Sequence, residues 1–458
     1  MFLKGITIAT LSACFAVAFA QQGIGDPTFP HLGNKGYRAE HYDLKLNYAP
    51  ETSVLKADVT MSGSADQDLS SFQVDFAGFT VTLVRLNGLP VQYSRSGDKL
   101  TIKPTKPLPK GSKFRLETLY FGKPDVVQSA ALPAGMKSGW IRFAGGAAAI
   151  CEPELAHTWF PCNDHPLNKA TFDVDISTPV GYSAISNGKE LRISPTRVHF
   201  VMDKPGSTCM ALVVVGKFTS FKQAGPNGLS MVNYIPTGEE AIYAKRLAVD
   251  AKFMEFLSAK IGAYPYSTYG VLVLPDAVSK VNMLMAGSAL ETTTLPVFGP
   301  QAVADGTLCH EMAHQWMGNC VSVTNWGDDL WWVEGFAQYS EWLQVEMTEG
   351  KDAYDKAALA VFGQVASSPH WLKPGHVSAA DLFSEHTYIG GALTFYALRR
   401  QIGDEKFFQT IHQFIDEHKF SSATTQDLIG VASKVSGQDL KPFFDAWLFG
   451  EALPKMPQ

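Results

Sequence analysis

No stretch of this sequence concentrates charge of one sign. Its 38 Lys and Arg stand against 44 Asp and Glu, a formal charge of −6. A protein that neutralises phosphates needs a basic stripe, so nucleic acid is excluded as the main partner. Cys-x-x-Cys pairs are missing too, and with them any thiolate zinc pattern. Apart from Cys14, the cysteines are Cys151, Cys162, Cys209, Cys309 and Cys320, an odd number without the spacing of a small stapled scaffold. Internal repeats and low-complexity tracts are absent. Past the first 20 residues nothing approaches about 18 uninterrupted apolar residues, so no integral membrane segment is expected.

What is present describes a folded chain with a large core. Hydrophobic residues make up 46% of the 458 and charged residues 18%, enough for two or three domains of about 150 residues each. The start, "MFLKGITIATLSACFAVAFAQQ", has a lysine, an apolar run and Ala18-Phe19-Ala20 before a polar pair. This is the layout of a cleaved secretory leader over 1–20, and it predicts a secreted or periplasmic protein. Cleavage before Cys14 with lipoprotein anchoring is the minor alternative.

From about 37 to 220 the hydrophobic period is two. Tyr42, Leu44, Leu46 and Tyr48 alternate with polar residues, as do Leu55, Ala57, Val59 and Met61, and Asn87-Gly88 and Asn187-Gly188 read as turns. These predict an all-β sandwich domain over 21–225. After the linker-like "AGPNG" (224–228) the period lengthens, predicting a mixed α/β, mostly helical domain over 226–458. There "EEAIYAKRLAVDAKFMEFLSAKIG" reads as helix and "YGVLVLPDA" as strand, and Thr425 is placed to cap "QDLIGVASKV".

The chemistry centres on "LCHEMAHQWMGN", 308–319. On a helix, residues four apart lie about 40° from each other, so His310 and His314 present both rings to one point. Zinc accepts such nitrogens but needs a third protein ligand. In "GDDLWWVEGFAQYSEWL", Glu334 begins a helix one loop later and can supply it. The bare residues leave other readings open: two helix-surface histidines, and a helix-start glutamate favoured by the dipole.

"HEMAHQWMGN" followed by "WWVEGFA" resembles the gluzincin zinc aminopeptidases, the family of aminopeptidase N, puromycin-sensitive aminopeptidase and leukotriene-A hydrolase. Between His314 and Glu334 stand 19 residues, one more than is usual in that family; the extra residue is expected in the loop "SVTNWGDD". The resemblance continues through "ICEPELAHTWFPCNDHP", "SALET" and "YIGGALTFYAL". "SALET" departs from the family's G-A-M-E-N at Leu290 and Thr292.

Several expectations follow from the resemblance. The fold is a saddle-like β domain followed by a thermolysin-like catalytic domain, in a short member lacking the family's C-terminal helical domain. One Zn²⁺ per chain is held by His310, His314 and Glu334. Glu311 is the general base, and Tyr388 stabilises the oxyanion. Glu152 and Glu291 bind the substrate's α-ammonium, while backbone at Ala289 and Leu290 pairs with the peptide. Without the resemblance, Tyr388 reads as a core aromatic and the two glutamates as solvated residues. Asp328 and Asp329 either orient a ligand or cap the Glu334 helix. His157, His165 and His386 receive no role, and Cys309 and Cys320 read as buried.

The reaction implied is removal of N-terminal residues from peptides with a free N-terminus. The alternatives are an endopeptidase with an open cleft and a retired homologue that only binds peptides.

Overall fold

In the computed structural model, residues 23–368, 371 and 373–458 are described. The expected leader, with Cys14, lies outside them. The alternating segments do pair. Tyr37–Ala49 runs antiparallel to Val54–Ala65, with Leu44 opposite Val59, Leu46 opposite Ala57 and Tyr48 opposite Leu55. All six side chains are buried, so one face of this pair belongs to the core, as strict alternation requires.

These strands sit in the middle of an eight-stranded sheet that starts at Lys189–Ser194 and ends at Leu89–Pro90. A five-stranded sheet, Ser183–Ser186, Val213–Gly216, Gly146–Ile150, Lys137–Phe143 and Val126–Gln128, completes the layered β domain, together with a three-stranded sheet at its side. Phe218–Ala224 pairs with Ser230–Pro236 and joins the catalytic domain's sheet, so "AGPNG" is a hairpin loop rather than a linker. Asn187-Gly188 does separate two strands, as expected, but the two do not pair with each other. The strand before it belongs to the five-stranded sheet and the strand after it to the eight-stranded one.

The catalytic domain packs helices around that mixed sheet. Asp305–Ala313 carries His310 and has His314 as its C-cap, and Trp326–Glu349 packs against it. Glu334 is therefore not at a helix start; it lies in the third turn of the long helix. The terminal cap near 425 is shifted by one residue. Thr424 accepts from the Asp427 amide, and Asp427 accepts from the Thr424 amide.

Two contacts fix the long helix. Its own N-cap, Asn325, makes no side-chain cap bond. The Trp326 amide donates to Asp26 Oδ2 at 2.9 Å and the Gly327 amide to Thr28 Oγ1 at 2.9 Å, so residues ahead of the first strand satisfy the orphan donors. His165 Nε2 holds the same Asp26 oxygen at 3.0 Å.

Further along, Gly335 meets Gly391 at the start of helix Gly391–Ile402. A Cβ on Gly335 would stand 2.6 Å from the Gly391 Cα, and one on Gly391 would stand 2.5 Å from the Trp331 carbonyl oxygen. Both obstacles are backbone, so neither can rotate away. Gly335→Ala should force the helices apart and lower stability by about 1–3 kcal/mol. Thermal unfolding of the purified variant checks this, and an unchanged melting temperature would show that the crossing has slack.

Candidate active site

The cleft opens where the two domains meet over a shared apolar cluster. That cluster includes Ile150 and Ile141 of the β domain and Leu290, Leu272 and Val297 of the catalytic domain. Glu152 follows Ile150 by two residues and Glu291 follows Leu290 directly. Packing the two apolar segments together thus brings both carboxylates to one cavity of about 280 Å³, which His310, Glu311, His314, Glu334 and Tyr388 also line.

The two imidazoles stand one helical turn apart, with ring centroids 4.9 Å from each other. Glu334 Oε2 lies 3.5 Å from His310 Nε2 and 3.3 Å from His314 Nε2. Zinc bonds of about 2.0–2.1 Å in a tetrahedron require ligand atoms about 3.3–3.4 Å apart. These contacts match that edge. Both Nδ1 atoms are turned outward to acceptors: His310 donates to Glu341 Oε1 at 3.1 Å, and His314 donates to the Met317 carbonyl at 3.3 Å. This leaves each Nε2 free for a metal.

Acceptors inside the cleft suit a cation. Glu334 Oε2, Glu311 Oε2 and Glu291 Oε1 are buried without a hydrogen-bond donor, and such oxygens need a cation. The residues therefore fit one Zn²⁺ on His310, His314 and Glu334, whose ligand atoms lie within 4.8 Å of one another. The same charges act on one another's protonation. Burial would raise Glu334, but His314 and His310 overcome it and bring the carboxyl to about 2. Burial would lower His314, yet Glu291 and Glu334 lift it to about 9, and His310 is raised as well. Burial pushes Glu311 up to about 8 against the pull of the histidines.

A second convergence lies beside the first. Glu152, Glu291 and Glu334 bring one oxygen each within 4.8 Å of one another. Burial and the neighbouring carboxylates, Glu291 foremost, raise Glu152; burial likewise raises Glu291, against the pull of His314. Ala289–Leu290 is the edge strand of its sheet, paired on one side with Val297–Phe298.

Tyr388 sits on a π-helical turn, His386–Gly390, a distortion that often marks functional sites. Its ring stacks on His310 with centroids 5.9 Å apart and planes 19° apart. Burial and Glu334 push its phenol up, so the hydroxyl stays a donor.

Asp328 and Asp329 do not touch the ligands. Asp329 accepts from the Asn325 and Thr425 amides at 2.9 and 2.7 Å, and Asp328 pairs with His376. Cys309 and Cys320 are buried, and burial raises both thiols.

Three residues escaped the sequence reading. Glu341 lies seven residues beyond Glu334, two turns along the same helix face, and that spacing was the available signal. Gln315 and Asn319 stood in the quoted motif without a role. Both donate to the Glu291 carbonyl, at 3.3 and 2.5 Å.

A layered β domain set against helices that carry a His-His-Glu zinc site defines a gluzincin metallopeptidase architecture. Residues 38–202 match the Peptidase M1 N-terminal domain and residues 246–447 match the Peptidase family M1 domain. The chain belongs to peptidase family M1.

It is similar to the M1 zinc metallopeptidase of Deinococcus radiodurans. Identity is 29%, covering 95% of this chain and 100% of that one, with a TM-score of 0.85. A glutamate-to-alanine mutant from that organism, bound to a Tyr-Ser-Ala substrate, superposes with a TM-score of 0.86 at 29% identity over the same shares of the two chains. Among curated proteins it is 27% identical to aminopeptidase M1-C of Oryza sativa subsp. japonica, over 65% of this chain and 36% of that protein. It is 28% identical to endoplasmic reticulum aminopeptidase 2 of Homo sapiens, over 64% of this chain and 33% of that protein. The chain thus spans about a third of the length of these two relatives.

Removing the outer partner of His310 should be felt at the metal. Glu341→Ala is expected to weaken zinc binding about 10–100-fold, measured by competition with a chelator of known affinity. Affinity equal to that of the unaltered protein would deny Glu341 this role.

Proposed function

We propose that the protein is a zinc aminopeptidase that releases N-terminal residues from peptides. One observation carries this reading. Glu152 and Glu291, one from each domain, converge within 4.8 Å of the ligand Glu334 in the same cavity as the histidine pair. A substrate ammonium seated between them is held by charge-assisted hydrogen bonds. The first peptide bond then falls over the metal ligands, and no longer N-terminal segment fits between grip and metal. An endopeptidase has no use for a buried pair of carboxylates there.

When bound, zinc supplies Lewis-acid polarisation of the scissile carbonyl and makes water acidic enough to lose a proton near neutrality. Glu311, one residue beyond the first ligand, takes that proton and later delivers it to the leaving amine. The Tyr388 hydroxyl donates to the developing oxyanion. The open side of strand Ala289–Leu290 pairs with the substrate backbone. The relative captured with Tyr-Ser-Ala supports a peptide as substrate.

The assay compares a fluorogenic aminoacyl or peptide substrate with its N-acetylated form. The free-amine form should be cut and the blocked form resist. Glu311→Gln should keep its zinc while turnover drops by at least about 10²-fold. Equal cleavage of the blocked form would favour the endopeptidase instead.

The leader-like layout of 1–20 supports export to the periplasm or medium. N-terminal sequencing of protein recovered from its native host should then start at Gln21; a chain still beginning at Met1 would refute export by this route.

A further inference from the structure

Glu291 is only as well placed as the turn that follows it. In Thr292–Thr294 the last residue has φ +67°, a left-handed conformation that is costly for a β-branched side chain. Strain of this kind persists only where the surroundings over-determine it, and it gathers at functional sites. Here the surroundings come from two directions.

From the ligand helix and its exit, Gln315 Oε1 accepts from the Thr294 amide at 2.8 Å, and Asn319 Oδ1 accepts from Thr293 Oγ1 at 3.0 Å. From the β domain, Asn187 Nδ2 donates to the Thr293 carbonyl at 2.6 Å, and the Gly188 amide donates to Thr294 Oγ1 at 2.8 Å. Asn187 is buried and fixed. Its Oδ1 accepts from the Leu212 amide at 2.6 Å, and its amide group also donates to the Met210 carbonyl at 3.1 Å. Gly188 has no substitute, because a Cβ there would stand 2.2 Å from the Val201 carbonyl oxygen. The dipeptide that reads as a turn links two sheets, and through the Asn187 side chain and the Gly188 amide it also reaches the catalytic domain.

We propose that Asn187 is a positioning residue: by holding the Thr293 carbonyl it sets Glu291, so that the β domain governs both halves of the amine grip. It supplies Glu152 directly and Glu291 through this turn. The inference rests on the aminopeptidase reading and extends it, making recognition of a free N-terminus a property of the joint between the domains. None of the Asn187 hydrogen bonds reaches His310, His314 or Glu334. Loosening the turn therefore weakens the hold on the ammonium and spares the metal.

The test uses the zinc-loaded full chain carrying Glu311→Gln, so that substrates bind without turnover. Calorimetry measures the affinity of the tripeptide Leu-Ser-Ala and of its N-acetylated form. Adding Asn187→Ala should weaken the free-amine peptide about tenfold or more, leaving the acetylated peptide and the zinc content unchanged. Thr294→Val, which removes the acceptor for the Gly188 amide, should act alike, and Thr294→Ser, which keeps it, should not. This pair carries the test should Asn187→Ala fail to fold. Equal weakening of both peptides, or of neither, overturns the proposal. A starting protein that binds both peptides equally overturns the aminopeptidase reading itself, before any joint variant is made.

Discussion

Buried negative charge is the constraint on which this molecule turns. Glu152, Glu291, Glu311 and Glu334 share one cavity, and their mutual repulsion in a poorly hydrated space is severe. Such a cluster is stable only if positive charge answers it. Zinc can do so on the histidine side, and under the function proposed above the substrate's ammonium does so on the other. On that proposal, one electrostatic need selects both the cofactor and the end of the substrate.

Everything around the cavity serves to hold these charges still. The shared apolar cluster of Ile150 and Leu290 brings two glutamates together from different domains. The Gly335–Gly391 crossing lets the helix bearing Glu334 approach the turn bearing Tyr388 more closely than any side chain would allow. Glu341 fixes the His310 ring, and Gln315 and Asn319 fix the backbone of Glu291. The residues flanking the histidine pair are thus spent on aim rather than on chemistry.

Legibility in the sequence followed the range of the interaction. Alternation at Tyr42–Tyr48 and Leu55–Met61 reports local pleating, and the strands formed in that register. The histidine pair is a one-turn relation and was equally plain. What stayed hidden depends on distant partners. Glu334 read as a helix start because the capping donors of that helix are met by Asp26 and Thr28, far away in the chain. Asn187-Gly188 carries the composition of a hairpin, and only the third dimension shows it crossing between sheets. Phe218–Ala224 alternates like the strands before it, and its neighbour, not its pattern, assigns it to the catalytic sheet. Glu152, Glu291 and Tyr388 were found through family resemblance, since nothing in their local sequence distinguishes them from ordinary residues.

The bond from Trp326 to Asp26 spans 300 positions, and that span has a bearing on biogenesis. Domains tend to fold in the order in which the ribosome delivers them. Here a segment delivered early waits for a helix delivered late, and only their meeting closes that helix's first turn. The helix that completes the metal site thus has its first amides met by residues ahead of the first strand.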